Sequence, residues 1–119
     1  MAYSHRNTMG TTERPELLNG TVDLLILKAL ASGPRHGYAI AQHIRASSGE
    51  VLELGESSLY TALQRLLLNG WVKGEWGTSE NNRRARYYTL TRAGRKHLEE
   101  QTREFDYMVA AIQRVLRTA

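Results

Sequence analysis

The sequence contains no cysteine among its 119 residues. That absence excludes disulfides, thiol catalysis and cysteine-based zinc sites, and it agrees with a reducing cytosol. No apolar run approaches the roughly 18 residues that a membrane span requires. The N-terminus lacks the apolar core of a signal peptide, so a cytoplasmic protein is expected. The four histidines, His5, His36, His43 and His97, are scattered. No two share a metal-binding spacing on one helix face, so neither a metal nor a cofactor is expected. A Gly-rich phosphate loop, a nucleophile elbow and a carboxylate pair beside a pocket are also missing. Glu99, Glu100 and Glu104 read as the solvated face of a helix. No residue is therefore assigned a catalytic role, and an enzyme is the least supported class.

What is present is concentrated basic charge. The whole chain carries +4, from 16 basic and 12 acidic residues. Between Lys73 and Lys96 lie seven basic residues (Lys73, Arg83, Arg84, Arg86, Arg92, Arg95, Lys96) against Glu75 and Glu80. That segment alone carries +5, so the remainder sums to −1. A local basic segment of this kind is the electrostatic footprint of a nucleic-acid binder.

The segment overlaps the most informative run, Gly55 to Gly94. Leu59, Leu63, Leu66 and Leu67 recur at helical spacing and form one apolar stripe. Ser57 or Ser58 is expected to cap this helix, because a hydroxyl accepts from the orphan N–H groups of the first turn. Asn69-Gly70 ends it with a residue that tolerates the left-handed conformation. Trp71 and Val72 begin an extended segment. Gly77 to Asn82 has turn chemistry, and Arg86 to Leu90 favours a returning strand. Thr91 is the expected cap of the next helix. A helix with small polar residues at its start, followed by an Arg-rich hairpin, suits a major groove and its flanking backbone. The pattern is that of a winged helix-turn-helix.

The rest of the chain frames this unit. Met1 to Glu16 is polar and without apolar period, and reads as a flexible tail or an arm. A helix is expected over Thr21 to Ser32, apolar around most of its circumference, so it should pack on its own core and also on a second subunit. Gly33-Pro34 stops it. A second helix is expected over Gly37 to Ser47, with Tyr38, Ile40, Ala41 and Ile44 on one face. Val51 to Leu54 alternates and is read as a short strand pairing with the wing. From Arg92 to Arg117 one long helix is expected, about 37 Å at 1.5 Å per residue. Its positions Leu98, Thr102, Phe105, Val109, Ile112 and Leu116 form a heptad-like seam. A seam without an intramolecular partner implies a second chain. A homodimer is therefore expected, with Leu24, Leu98, Phe105, Val109, Ile112 and Leu116 at its interface. The division expected is a tail over 1–16, a winged helix-turn-helix domain over 17–91 and a dimerisation helix over 92–119. The fold class is mainly α with a small β hairpin.

Four pieces in order resemble the PadR family of bacterial transcriptional regulators. They are LLNGTVDLLILKALASGPRHGYAI at 17–40, the Gly-Pro-x-His-Gly-Tyr turn within it at 33–38, SSLYTALQRLLLNGWV at 57–72, and ARYYTLTRAGRKHL at 85–98, the second wing strand and the start of the last helix. Together they cover about residues 17 to 98. Ser57 stands where the family usually has Gly, and Thr61 where it often has Pro. The resemblance implies a homodimeric repressor that binds double-stranded DNA at a palindromic operator. Its short C-terminal helix is similar to that of the family's small subgroup. Some relatives bind aromatic or drug-like effectors between subunits, which makes Phe105, Tyr107 and Met108 the candidate effector residues here.

The DNA-binding candidates are Ser57, Ser58, Tyr60, Thr61, Gln64, Arg65, Lys73, Arg83, Arg84 and Arg86. Ser58 and Thr61 suit phosphates or base edges, and Tyr60 suits phosphate or core packing through its ring. Gln64 suits adenine and Arg65 suits guanine, although Arg65 serves equally as partner to a carboxylate. The wing arginines suit phosphates or an inserted minor-groove contact. Trp71 is expected to pack under the wing, and Trp76 to be partly exposed near the turn. His36 is expected to have a structural role in its turn. Two other readings share the pattern: a MarR-like regulator, and a winged helix used to bind protein without specific DNA binding.

Overall fold

The computed structural model describes residues 19–119. The tail expected over 1–16 lies outside them. The elements are α1 (Asn19–Ala29), β1 (Arg35–His36), α2 (Gly37–Ser47), α3 (Glu56–Leu68), β2 (Val72–Thr78), β3 (Arg84–Leu90) and α4 (Arg92–Leu116). The strands form one antiparallel sheet in the order β1-β3-β2. The fold is a winged helix with a long C-terminal helix, as its patterning implies.

The core sits where α1, α2 and α3 meet the sheet. Ile26, Leu27 and Leu30 come from α1, Ile40 and Ile44 from α2, and Leu59, Leu63 and Leu66 from α3. Val72, Tyr88 and Leu90 close it from the sheet, and Leu98 from α4. Each fully buried aliphatic contributes roughly 1.5–3 kcal/mol of transfer free energy. The apolar girth of α1 is explained by this position: Ile26, Leu27 and Ala29 are fully buried, and Leu24 and Leu25 pack at the core's edge. The helix ends at Ala29, earlier than Ser32, and Arg35 Nε donates to the Ala29 carbonyl at 2.8 Å. A guanidinium there meets both an orphan carbonyl and the negative end of the helix.

Two local expectations are corrected. The third strand is Arg35–His36, not Val51 to Leu54; Arg35 pairs with Tyr88 and His36 with Tyr87. The alternation over 51–54 is real but reports burial alone. Leu52 and Leu54 pack on the core while Val51 is exposed, and residues 51–54 take no part in the sheet formed by the described residues. Similarly, α3 is capped by Gly55, whose extended backbone places its carbonyl to accept from Leu59 N–H at 3.0 Å. Ser57 and Ser58 lie inside the first turn and make no cap bond, which leaves both hydroxyls exposed.

The other end of α3 follows its sequence. Gly70 N–H donates to the Leu67 carbonyl at 3.1 Å and Trp71 N–H to the Leu66 carbonyl at 3.0 Å. This paired closure needs a left-handed residue, and Gly70 supplies it at φ +73°. The chain then enters the wing. Thr91 ties both ends of the wing to α4: its hydroxyl accepts from Gly94 N–H at 3.0 Å and donates to the Gly70 carbonyl at 2.7 Å. Trp71, expected to pack under the wing, is half-buried against the core and stacks on His97 of α4, with ring centroids 3.5 Å apart and planes at 10°.

Candidate nucleic-acid interface

One face of α3 supplies the core through Leu59, Ala62, Leu63 and Leu66. Helical geometry therefore turns Ser57, Tyr60, Thr61 and Gln64 outward, and all four are exposed, as is Ser58 at the helix start. Arg65 is placed differently. Its guanidinium grips Asp23 of α1, with Nη2 donating to Oδ1 at 2.7 Å and Nε to Oδ2 at 3.3 Å. The hydrogen bond that Arg65 donates to this carboxylate holds Arg65 above the usual arginine range, against the opposing effect of burial. Its fork is thus occupied by a protein partner, the carboxylate alternative that the sequence offered beside base reading.

The wing is a seven-residue pair, Val72–Thr78 against Arg84–Leu90. Its turn closes with Ser79 N–H donating to the Arg83 carbonyl at 2.8 Å and Asn82 N–H to the Ser79 carbonyl at 2.9 Å. Asn82 takes φ +60°, a conformation its short side chain tolerates. Side chains alternate between faces along each strand. Register therefore places Thr78 with Arg84, Trp76 with Arg86, Gly74 with Tyr88 and Val72 with Leu90 on the face that continues into the core. Lys73 pairs with Thr89 on the opposite face, so it is not brought together with Arg84 and Arg86.

Between this inner wing face and the starts of α2 and α3 lies an open cleft of about 600 Å³. Tyr60, Trp76, Arg84, Arg86 and Tyr88 line it, with Arg83, Glu80 and the wing turn at its mouth. Arg84 lies over the Trp76 ring at 4.5 Å and Arg86 over the Tyr88 ring at 5.8 Å. Aromatic faces attract guanidinium charge, so both cations are steadied without a carboxylate partner among the described residues. Arg86 can fold across the sheet because Gly74 has no side chain: a Cβ there would lie 2.5 Å from Arg86 Nε. Gly37 makes the same room for the Tyr60 hydroxyl.

His36 ties the wing turn to the body. Its Nδ1 accepts from Ala39 N–H at 3.2 Å, which caps α2. This leaves Nε2 to carry the proton in the neutral ring, and it faces Glu80 Oε1 at 3.6 Å. The ring also meets Tyr87 edge-on at 5.3 Å. Glu80 is held below the usual carboxylate range, first by a hydrogen bond from its own backbone and then by His36.

The residues expected at a subunit interface divide. Leu98 is buried inside the protomer, because the first turns of α4 pack on its own core. Leu24 is half-buried beside the core. Val109 is half-buried, while Phe105, Ile112 and Leu116 are exposed. The candidate effector residues Phe105, Tyr107 and Met108 are all exposed on α4. Sequence reasoning missed Asp23, Glu80 and Tyr88. For Tyr88 a signal existed, since 84, 86 and 88 alternate onto one strand face. Among the described residues, no helix is long and apolar enough to cross a membrane.

Comparison with known proteins fits this arrangement. Residues 26–100 match the model of the transcriptional regulator PadR-like family. A transcriptional regulator from Clostridium thermocellum is 34% identical with a TM-score of 0.73, over 80% of this chain and 89% of that one. A PadR family transcription regulator from Clostridium difficile is 29% identical with a TM-score of 0.69, over 80% of this chain and 97% of that one. An uncharacterised protein of Lysinibacillus sphaericus is 27% identical over 92 residues, 77% of this chain and 84% of that protein. An uncharacterised 37.1 kDa transposon protein of Streptomyces fradiae is 45% identical over 78 residues, 66% of this chain, but the match spans only 21% of that protein. The chain belongs to the PadR-like family of transcriptional regulators.

Proposed function

We propose that this chain is a homodimeric, sequence-specific DNA-binding regulator that represses by occupying a palindromic operator. In this reading a reading head over 17–91 is carried on a dimerisation helix over 92–119. The supporting observation is the side-by-side placement of the outward face of α3 and the arginines of the wing, which share one cleft through Tyr60, Arg84 and Arg86. Ser57, Ser58, Thr61 and Gln64 would enter the major groove, where Gln suits adenine. Arg83, Arg84 and Arg86 would meet the flanking backbone. Lys73, on the other face of the wing, would reach phosphate only beyond the hairpin edge. Two-fold symmetry sets the half-sites about one helical turn apart. A small aromatic effector seated between subunits near Phe105, Tyr107 and Met108 would act by preferring one spacing of the heads. No catalytic role is proposed, and the protein's place is the bacterial cytoplasm.

Selection of bound genomic fragments, followed by titration of the enriched sequence across salt, tests this. One inverted-repeat motif with a steep salt dependence is expected. Each phosphate neutralised contributes roughly 0.9 to the log–log slope. Uniform weak binding without a motif would favour a protein-binding winged helix instead.

A further inference from the structure

Tyr88 is only 5% exposed, yet it lines the cleft between the wing and α3. Among the described residues its hydroxyl has no hydrogen-bond partner, although Arg86 lies over its ring. A phenol hydroxyl that opens on a cleft and finds no protein partner is satisfied by water or by a ligand's acceptor, so it is free to donate to a group that enters the cleft. Tyr60 lines the same cleft. Burial raises the Tyr88 pKa, against the lowering effect of the Arg86 charge, so the group remains a neutral O–H donor. The N-terminus of α2 also opens on the cleft through Gly37 and Tyr38, adding the positive end of an 11-residue helix. Three arginines, Arg83, Arg84 and Arg86, face a single carboxylate, Glu80, which His36 draws aside.

We propose that this cleft is an oxyanion site in which Tyr88, Tyr60 and Arg86 hold one backbone phosphate of the bound duplex. Tyr88 supplies the floor of the site, Arg86 its charge and Tyr60 the α3 side. The phosphate lies between the groove read by α3 and the backbone under the wing, so it fixes the angle between them. The choice of a DNA phosphate over a free anion rests on the DNA-binding reading above. The oxyanion chemistry rests on the cleft alone.

Two measurements test the two parts separately. In the first, inorganic phosphate is titrated into the wild-type protein carrying ring-labelled tyrosine, observed by NMR. Saturable shifts of Tyr88 and Tyr60 are expected. Their absence overturns the oxyanion site, whatever the protein does with DNA. In the second, Tyr88→Phe is titrated with the selected duplex and with duplexes bearing one methylphosphonate at each position in turn. Hydrogen bonds to charged groups imply about a tenfold loss for Tyr88→Phe, with the salt slope unchanged because no charge is removed. At one methylphosphonate position the variant and wild type should bind equally. Undiminished wild-type affinity in Tyr88→Phe, or a loss equal at every position, overturns the phosphate assignment. A matching thermal melt separates that loss from misfolding. If Tyr88→Phe does not fold, Arg86→Gln replaces it, with the same convergence at one position expected. If the wild type binds no duplex, the DNA-binding reading fails and the phosphate titration alone decides the oxyanion site.

Discussion

Gln64 and Arg65 are neighbours on α3, and both have side chains suited to reading a base. The structure separates them through what each touches. Gln64 is exposed, whereas Arg65 is bound through two nitrogens to Asp23 and so joins α3 to α1. Releasing that fork toward a base would leave the Asp23 carboxylate half-buried and unpaired. Arg65→Ala is therefore expected to cost about 1–3 kcal/mol of stability, as for a hydrogen-bonded charge that loses its partner. In a domain of this size that lowers Tm by about 4–8 °C per kcal/mol. The base preferences of the selected operator should stay unchanged. Gln64→Ala should behave oppositely, with an unchanged melt and relaxed preference at one base pair, worth about 1–3 kcal/mol of discrimination. Thermal melts paired with operator selection check both. A relaxed motif with a wild-type melt in Arg65→Ala would return it to the reading residues. This distinction was not legible in the sequence, because Asp23 lies 42 positions away and nothing local announces the pair.

At the scale of elements, sequence pattern was reliable wherever periodicity and stop signals agreed. The bounds of α2 are those its apolar face and Ser48-Gly49 imply, and the Asn69-Gly70 stop and the Thr91 cap are as expected. Failures occurred where tertiary pairing overrides propensity. Arg35–His36 has no strand composition, yet it becomes a strand because Tyr87 and Tyr88 lie beside it. The joint between wing and α4 is a further element that only the structure shows. Gly94 is buried, and a Cβ there would overlap the carbonyl oxygen of Trp71. That carbonyl already accepts from Thr91 N–H at 3.0 Å, so it is not free to move aside. Gly94→Ala should push α4 off the base of the wing and cost about 1–3 kcal/mol, as overpacking does. Gly20, on the exposed start of α1, has nothing within 4 Å of its missing Cβ. Gly20→Ala should therefore be neutral or stabilising by about 0.5–1 kcal/mol. Chemical denaturation of the two variants compares them, and equal stabilities would show that the joint yields at no cost.

At the scale of the whole molecule, the shape argues for a partner. The radius of gyration is 16.5 Å and the longest extent 54 Å. A compact domain of this length would have a radius near 13 Å. The excess comes from α4, whose first turns are anchored by Leu98 while Phe105, Met108, Ile112, Val115 and Leu116 stay exposed. Leu98, Phe105 and Ile112 recur every seven residues, so the seam continues in one line after it leaves the protomer. Covering it with a second α4 would bury these side chains and bring two reading heads onto one duplex. The variant carrying Phe105→Glu and Ile112→Glu should thus sediment as a monomer, since paired like charges within a packed seam are strongly unfavourable. Neither residue belongs to the core of the reading head. The cooperative unfolding of the head should therefore survive, though at a temperature no longer dependent on protein concentration. Affinity for the full operator should fall by at least about a hundredfold, because the second head no longer binds at the effective concentration that linkage provides. Affinity for an isolated half-site should stay near that of the wild type. Analytical ultracentrifugation with operator and half-site titrations separates these effects. A variant that remains dimeric and keeps operator affinity would move the interface away from α4, toward the half-buried edge of α1 at Leu24 and Leu25.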